Sequence, residues 1–561
     1  MTTAEYQLRY LAENEIRKII AKLEQFSCLF ELTDASPDER FNAFKERAGR
    51  QLLVALHEAT RAGTFREIVL DEYRKITPLV AQRLYLTVCV FHRLGIPVRA
   101  GIINRLYDIP FEEFKEDFFQ PLEQVVRTVD DIRHNDRAYR ARHRDIADIV
   151  FRGALSNVDD RMEFYIGAIK YLNLDFKTDD DAFQRLMSSR AVVEFFSNPK
   201  HGEEIYREAM NIAPDDPNVW HQRGIYRMNC EQPNLDRAKS DFLEAKERNS
   251  SNFRFTHSLA ELEIRYSEKN ENVLKKQKHF AKARELCTEI SRGRGASYAR
   301  NTVLKVAFNE LKTLADSPIE DRELELYLEK LHNDLDAQLK REPDNETALQ
   351  LQAKLAIWLN ESASAKNTLE KAFKKNPRRQ FVSKNLIEMA KRNEENEVAF
   401  DYSRKVLDAK PEDPTANYHY GKLAVEFDML DLERQEYHFA KSYLDGDSNY
   451  DARLLHARTL FLLKRYNDSR RIFRKLASLK IRFARKIAVN YPVNTVRDGR
   501  ILDVEATHAW LEDFETGKRI YCHQVRFEDG VWDVIQSHEP VTFTLAFSFM
   551  GPCAVEVNLR G

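Results

Sequence analysis

Glycine and proline are scarce in this chain, and its cysteines form no metal-binding pattern. Only 17 glycines and 17 prolines occur among 561 residues, whereas 32% of the residues are charged. This composition argues against an all-β or low-complexity chain and favours many amphipathic helices. The six cysteines, which have neither CxxC pairing nor zinc spacing, are Cys28, Cys89, Cys230, Cys287, Cys522 and Cys553. We therefore expect reduced, mostly buried thiols and no metal or other cofactor.

An excess of one charge, a long apolar run and a secretory leader are also missing. Lysines and arginines number 88 against 90 aspartates and glutamates, so any surface that binds nucleic acid must be local. The longest apolar stretch, around Leu84 to Phe91, is far shorter than the roughly 20 residues that span a bilayer. The first residues show no basic-then-apolar pattern. We expect a cytoplasmic protein that does not bind membranes.

No catalytic motif occurs in the sequence. The patterns G-x-x-x-x-G-K-[ST], G-x-S-x-G and H-E-x-x-H are all missing, and Gly293 and Gly295 lack the lysine of a phosphate-binding loop. Histidines such as His257 and His438 are isolated, and we interpret them as surface residues. The sequence therefore predicts a protein that is not an enzyme and does not hydrolyse ATP by itself.

A fixed repeat period is the strongest pattern that is present. Pro343, Pro377 and Pro411 follow one another at intervals of 34 residues, and Ala365 and Ala399 are separated by the same interval. Small and apolar residues recur at helical spacing between the prolines, and each proline ends a helix pair. The pattern resembles the tetratricopeptide repeat over residues 198–480. The resemblance implies a solenoid, because each helix pair leaves an apolar face that only a neighbouring pair covers.

Other repeat units are marked by the same residue types. We expect these residues to pack in the core and not to form a ligand site. They are Gly202, Tyr206, Ala209, Trp220, Gly224, Ala238, Phe242, Ala245, Ala283, Cys287, Ile290, Leu349, Ala353, Leu369, Ala372, Gly421, Tyr437, Ala440 and Phe473. A partner protein would then bind on the concave surface of the solenoid, which offers a large interface.

The first 150 residues do not follow the repeat. Residues 1–75 are predicted to be a helical lid or linker, and residues 76–150 a domain of short helices with a two-stranded wing. The predicted helices are 15–30, 79–94, 100–106 and 111–120, and the wing strands are 122–126 and the stretch around Tyr139. Three short helices and a wing resemble a winged-helix domain. The helix at 111–120 carries four acids and one lysine, which argues against its insertion beside DNA phosphates.

The order of these segments resembles that of the STAND-type NTPases of bacterial anti-phage defence. The amino-acid sequences of residues 47–60, 83–103 and 140–151 also resemble that family. In that family a winged helix follows the nucleotide domain, and a repeat sensor follows the winged helix. Because the phosphate loop is missing, the chain resembles the C-terminal part of such a protein, truncated or encoded apart from its NTPase. The resemblance implies that His143, with Arg142 beside it, contacts the ADP phosphate if an NTPase domain is supplied. The alternative is that residues 133–145 form a solvated basic helix start.

Aromatic and β-branched residues replace the helical pattern from about residue 487. Val541, Phe543, Leu545, Phe547 and Phe549 alternate strictly, which predicts a half-buried strand with these five side chains on one face. Other strands are predicted at 508–512, 519–524 and 554–559. Five short strands over 487–561 favour a small β-barrel.

Residues 495–561 resemble a cold-shock domain of the OB-fold type. The segments that carry this resemblance are AWLEDFETGKRIYCHQV and PVTFTLAFSFMGPCAVEVNL. The resemblance implies that Trp510, Tyr521 and His523 stack against single-stranded bases. The segment from Ala484 onward holds eight basic and eleven acidic residues. Because few cations are available to contact phosphates, binding of a strand by ring stacking alone would be weak at physiological salt. A capping barrel or a protein-contact module is the other interpretation.

The predicted fold is mainly α, with a winged-helix-like domain, a tetratricopeptide-type solenoid over 151–480 and an OB- or cold-shock-like barrel. The leading functional hypothesis is the non-catalytic sensor portion of a STAND-type anti-phage protein. It would bind a foreign or partner protein through its repeats and couple to an NTPase or effector domain. The alternative is a scaffold whose cold-shock-like barrel binds single-stranded RNA. Salt-dependent RNA binding by residues 484–561 would separate the two hypotheses.

Overall fold

A computed structural model confirms the predicted fold class. The chain is mainly α-helical, with a tetratricopeptide-type α-solenoid and a small, closed C-terminal β-barrel. The structure describes residues 11–25, 29, 32, 35–47, 65–107, 120–123, 125–131, 136–155, 157–196, 198–317, 320–409, 413–443, 449–479, 486, 488, 496–528, 530–532 and 534–560. Except for its last residue, the predicted helix at 111–120 lies outside the described residues, as does most of the segment 47–60.

The chain forms two compact units, Arg61–Met389 and the combination of Met1–Thr60 with Ala390–Gly561. The elements of the first unit are α3 (Phe65–Arg74), α4 (Leu79–His92), β1 (Val98–Arg99), α5 (Ala100–Tyr107), α6 (Gln120–Leu122), β2 (Val126–Asp131), β3 (Asp136–Ala141), α7 (Arg144–Ala154), α8 (Val158–Lys170), α9 (Lys177–Leu186), α10 (Ser189–Phe195), α11 (Pro199–Ile212), α12 (Pro217–Asn229), α13 (Leu235–Arg248), α14 (Phe253–Lys269), α15 (Val273–Glu289), α16 (Ala296–Ala315), α17 (Asp321–Arg341), α18 (Glu346–Trp358) and α19 (Ser362–Lys375). Helix α20 (Gln380–Arg392) contains the boundary between the units.

The second unit holds helices from both ends of the sequence and the barrel. Its elements are α1 (Glu13–Gln25), α2 (Pro37–Asn42) with a π-helical turn (Ala43–Arg47), α21 (Asn396–Ala409), α22 (Pro414–Phe427), α23 (Leu432–Lys441), α24 (Tyr450–Leu462), α25 (Tyr466–Ala477), β4 (Val496–Val504), β5 (His508–Asp513), β6 (Lys518–His523), β7 (Pro540–Ser548) and β8 (Gly551–Leu559).

A three-stranded antiparallel sheet with the order β1-β3-β2 belongs to the Arg61–Met389 unit. Helix α4 packs against α7 and β3, and this packing buries all of its residues from Leu84 to Phe91. The first wing strand was predicted at 122–126 but begins at Val126. The apolar signal misplaced it, because Leu122 is buried within α6 whereas β2 is a partly exposed strand with polar side chains.

The repeat prediction is confirmed at the level of helix pairs. Helices α12 and α13, α14 and α15, and α18 and α19 pack against each other as pairs. Pro343 lies between α17 and α18, and Pro377 lies between α19 and α20, whereas Pro411 is outside the described residues. A Cβ atom at Gly224 would lie 2.5 Å from the ring of Phe242, so the absence of a side chain admits the ring from the second helix of the pair.

Four histidines in the described part of the repeats are buried, namely His201, His221, His438 and His456. The interpretation of His438 as a surface residue is wrong, because α22 and α23 pack together and its Nδ1 atom lies 2.9 Å from Asn417 Oδ1. Burial lowers the pKa of His438 to about 3, since the charged imidazolium loses its hydration. Burial likewise lowers the pKa of His221, in α12, to about 4. His257 is partly buried.

The described cysteines are buried, as predicted. Burial raises the pKa of the Cys287 thiol to about 11 and raises that of Cys89 further, because the apolar interior disfavours the thiolate. These thiols are therefore poor nucleophiles.

The five strands of the barrel close in the order β4-β5-β6-β8-β7, in an OB-like arrangement. Neighbouring strands are antiparallel except β6 and β8, which pair in parallel at Tyr521 and Cys553. The alternating residues Val541, Phe543, Leu545, Phe547 and Phe549 are all buried, which confirms the predicted apolar face.

The barrel shares a hydrophobic core with the last helix pair. Phe461 of α24 and Phe473 of α25 belong to the same buried cluster as the barrel residues Ile501 and Phe547. The rings of Phe473 and Phe547 lie parallel, 3° apart, with centroids separated by 6.3 Å. The barrel therefore covers the apolar face of α24 and α25, as a neighbouring repeat would.

Candidate functional site

A groove runs between helix α25 and one face of the barrel, and we call it the barrel–helix groove. Its volume is about 300 Å³, at the lower end of the range for ligand sites. The residues that line it are Phe461, Tyr466, Ser469, Arg470, Phe473, Arg474, Ala477, Trp510, Lys518, Arg519, Tyr521, Met550, Gly551 and Pro552. Aromatic and basic side chains dominate this set.

An aromatic pair forms the barrel wall of the groove. Trp510 of β5 and Tyr521 of β6 are directly opposite each other in the strand register, and their ring centroids lie 5.6 Å apart in a T-shaped arrangement. His508 extends the row, with its ring 5.1 Å from that of Tyr521. All three side chains are half-buried, and burial raises the pKa of the Tyr521 hydroxyl. Ring surface thus remains accessible on this face of the sheet.

Four cations surround the aromatic pair, and no carboxylate belongs to the groove lining. Two of the cations contact rings, with Lys518 Nζ 4.5 Å from the Tyr466 centroid and Arg519 Cζ 4.5 Å from that of Trp510. Arg519 also forms an ion pair of 2.8 Å with Asp503, which partly neutralises it. The groove is therefore cationic although the segment from Ala484 onward carries more acids than bases.

Helix α25 contributes the other two cations through its amphipathic pattern. Ser469, Phe473 and Leu476 are buried, whereas Arg470 and Arg474, one helical turn apart, are exposed beside the barrel. Among the residues that the structure describes, neither arginine has an ion-pair partner, although Arg471 contacts Asp468 at 3.3 Å. These two guanidinium groups are thus available to an anionic ligand.

The structure brings together only part of the predicted single-strand site. Trp510 and Tyr521 line the barrel–helix groove. His523 does not line it, and its ring instead accepts a hydrogen bond from the Val525 amide at 3.4 Å, where it caps a short 3-10 turn. Sequence reasoning missed Arg470 and Arg474, although their four-residue spacing within SRRIFRK was a usable signal.

The predicted nucleotide-contact residues belong to the Arg61–Met389 unit. His143 is the N-cap of α7, where its ring accepts a hydrogen bond from the Asp145 amide at 3.2 Å, and its side chain is 49% exposed. Arg142 forms an ion pair of 2.5 Å with Glu72. The two side chains therefore lie at a helix start, with His143 open to solvent and Arg142 engaged by an acid.

A second groove, which we call the repeat groove, lies in the Arg61–Met389 unit between α15, α16 and α17. Its volume is about 360 Å³, and its lining residues are Cys287, Thr288, Ser291, Ala296, Ala299, Arg300, Val303, Leu304, Asp334, Ala337, Gln338 and Arg341. Val303 is 36% exposed. Gln338 is buried, and its Nε2 atom has no hydrogen-bond partner among the described residues, although its Oε1 accepts from Arg300 at 3.1 Å. This groove offers apolar and polar contacts together.

In the described part of the chain, no cluster of three or more histidine, cysteine or acidic residues could hold a metal ion. No helix there has the length and apolarity needed to cross a membrane.

The fold is that of a tetratricopeptide-type repeat protein with an OB-like barrel. No protein-family model and no curated protein sequence matches the chain. Similar solved structures include pilF of Pseudomonas aeruginosa, which is 14% identical and covers 41% of this chain and 94% of its own, with a TM-score of 0.28. A tetratricopeptide repeat protein from Parabacteroides merdae is 12% identical and covers 48% and 94%, with a TM-score of 0.25. A monomeric mutant of IFIT1, solved with m7Gppp-AAAA, is 14% identical and covers 58% and 76%, with a TM-score of 0.29.

Proposed function

We propose that the chain is a non-catalytic recognition scaffold whose helical repeats bind a partner protein. The observation that carries this proposal is the repeat groove, an open site formed by stacked helices. A segment of a partner could place an apolar side chain against Val303, which is exposed in the groove. Arg341 and Asp334 at the same groove provide charges of both signs, which suits recognition of a polar peptide segment.

The experiment that tests this proposal is site-specific photocrosslinking in the source cells. A benzophenone side chain replaces Val303 in one variant and Leu274, which is 75% exposed in α15 and outside the groove, in the control variant. We expect one discrete protein adduct at position 303 and none of the same mass at position 274. Identical adduct patterns at both positions would contradict binding in the repeat groove.

The more specific role that we propose is the sensor portion of a STAND-type anti-phage protein. The order of the segments supports this role, because helices and a small three-stranded sheet precede the repeats. His143 is exposed at a helix start, where a supplied NTPase domain could present ADP to it. The coding sequence around this chain should then contain a P-loop domain, and the isolated chain should neither hydrolyse ATP nor act as an enzyme. A neighbourhood without a P-loop gene would remove this role and leave the scaffold function intact.

A second candidate function is that of an RNA-associated scaffold with a cold-shock-like barrel. The half-exposed pair of Trp510 and Tyr521 favours it, since aromatic rings on adjacent strands can stack with unpaired bases. The test is fluorescence anisotropy of the whole chain with a labelled oligouridine. Binding that is unchanged in Trp510→Ala would exclude the barrel as the RNA site.

A further inference from the structure

We propose that the barrel–helix groove, and not the barrel face alone, is a composite site for single-stranded nucleic acid. One base would lie against Trp510 and Tyr521, and the flanking phosphates would contact Arg470 and Arg474 of helix α25. This inference rests on the second candidate function and specifies its site. In this arrangement, half of the recognition surface lies on the barrel and the other half lies on the last helix of the repeats.

Charge is the first argument. A nucleic-acid strand carries one negative charge per nucleotide, and its affinity for a protein depends mainly on cations that contact phosphates. The barrel segment has an excess of acids and would repel a strand on average. The groove lining, in contrast, holds four basic side chains and no acid. Helix α25 supplies two of these four, Arg470 and Arg474, and therefore half of the positive charge that attracts a strand to this surface.

The second argument concerns the ion-pair partners of Arg470 and Arg474. Two exposed arginines nearby, Arg465 and Arg471, form ion pairs with Asp468. Arg470 and Arg474 have none among the described residues. They lie on one face of the helix at the spacing of a single turn, so adjacent phosphates could contact both.

The rings distinguish the ligand class. An acidic peptide would use the cations but would leave the planar faces of Trp510 and Tyr521 without a matching group. Unpaired bases present a π-face at every nucleotide, and stacking is worth more when cations neutralise the adjoining phosphates. A duplex hides its base faces. The combination of rings and free cations therefore points to a single strand.

The experiment compares four forms of the full-length chain by fluorescence anisotropy with a labelled ten-nucleotide oligouridine at two salt concentrations. The variants are Trp510→Ala, the double variant Arg470→Gln with Arg474→Gln, and the matched control Arg471→Gln, which alters the next residue outside the groove. We expect Trp510→Ala to weaken binding roughly 5- to 150-fold. The double variant should weaken binding and reduce the magnitude of the slope of log affinity against log salt by about 1.4, whereas Arg471→Gln should leave the slope unchanged.

Each outcome decides a separate point. If Trp510→Ala weakens binding but the double arginine variant keeps the wild-type slope, the barrel binds RNA alone and the composite site is wrong. If the wild-type chain does not bind the oligonucleotide at low salt, both the composite site and the RNA function are wrong. Preferential binding of a labelled polyglutamate peptide would also overturn the assignment, in favour of an acidic protein partner. Because Arg470 and Arg474 are exposed, an unchanged melting temperature should confirm that the double variant folds.

Discussion

Replacement of Gly202 by alanine tests whether the repeat helices pack as closely as the structure has them. A Cβ atom at this position of α11 would lie 1.9 Å from Cζ of Tyr226, whose ring is fully buried. Carbon atoms pack at about 3.5 Å or more, so the ring must move by roughly 1.6 Å. The Tyr226 hydroxyl lies 2.8 Å from the Phe196 carbonyl oxygen and 2.9 Å from that of Asn198, and the movement breaks these contacts.

The magnitude follows from three contributions. Overpacking costs about 1–3 kcal/mol, and an unsatisfied buried hydroxyl costs about 1–3 kcal/mol. The higher helix propensity of alanine relative to glycine offsets about 1 kcal/mol of this loss in the free energy of unfolding. We therefore expect Gly202→Ala to lower the free energy of unfolding by about 1–5 kcal/mol.

The control is Gly167→Ala in helix α8 of the same unit, where a Cβ atom meets nothing within 4 Å. This substitution should stabilise the chain by about 0.5–1 kcal/mol through helix propensity alone. Urea unfolding followed by circular dichroism measures both variants. If the two substitutions change stability by the same amount, the close contact between α11 and α12 is wrong.

Three other perturbations test separate parts of the account. Ala372 is buried in α19, so Ala372→Trp should overpack the helix pair and cost at least about 1–3 kcal/mol, and an unchanged melting temperature would mean that the repeat register is wrong. The pKa of His438 is lowered to about 3, so the contribution of its neutral form to stability is fully present above pH 6.5. This contribution falls as the pH decreases from 6.5 toward 3, and at pH 5 about 2 kcal/mol of it is lost. His438→Gln should therefore flatten the decrease in melting temperature between pH 7 and pH 5, and an equal decrease in both proteins would contradict the burial. Calorimetric titration of the isolated chain with ATP should show neither hydrolysis nor micromolar binding at a stoichiometry near one, and such binding would refute the sequence argument from the missing phosphate loop.

Periodicity made most of the architecture predictable. The 34-residue interval placed Pro343 and Pro377 in turns, and the strict alternation after Val541 placed one face of a strand in the barrel core. Both signals arise from apolar burial, which repeats along the sequence. Strand β2 was misplaced for the same reason, because a partly exposed strand with polar side chains leaves no apolar pattern.

The candidate site was only half predictable. Trp510 and Tyr521 were identified through a family resemblance, but Arg470 and Arg474 lie in a helix some forty residues earlier in the sequence. Their proximity to the rings depends on the packing of Phe473 against Phe547, a tertiary contact that no local pattern encodes. The burial of His438 depends likewise on the neighbouring helix α22.

The most direct test of the recognition scaffold is the dissociation constant of the partner that is crosslinked at position 303. The purified partner is titrated into the wild-type chain and into two variants with the same change of charge, Val303→Asp in the repeat groove and Leu274→Asp outside it. The account predicts that Val303→Asp weakens binding at least about tenfold, because burying a carboxylate in the interface is unfavourable. It also predicts an affinity within about twofold of wild type for Leu274→Asp, as is usual for residues outside an interface core. Equal affinities of the wild-type chain and Val303→Asp would contradict the claim that the helical repeats recognise the partner through this groove.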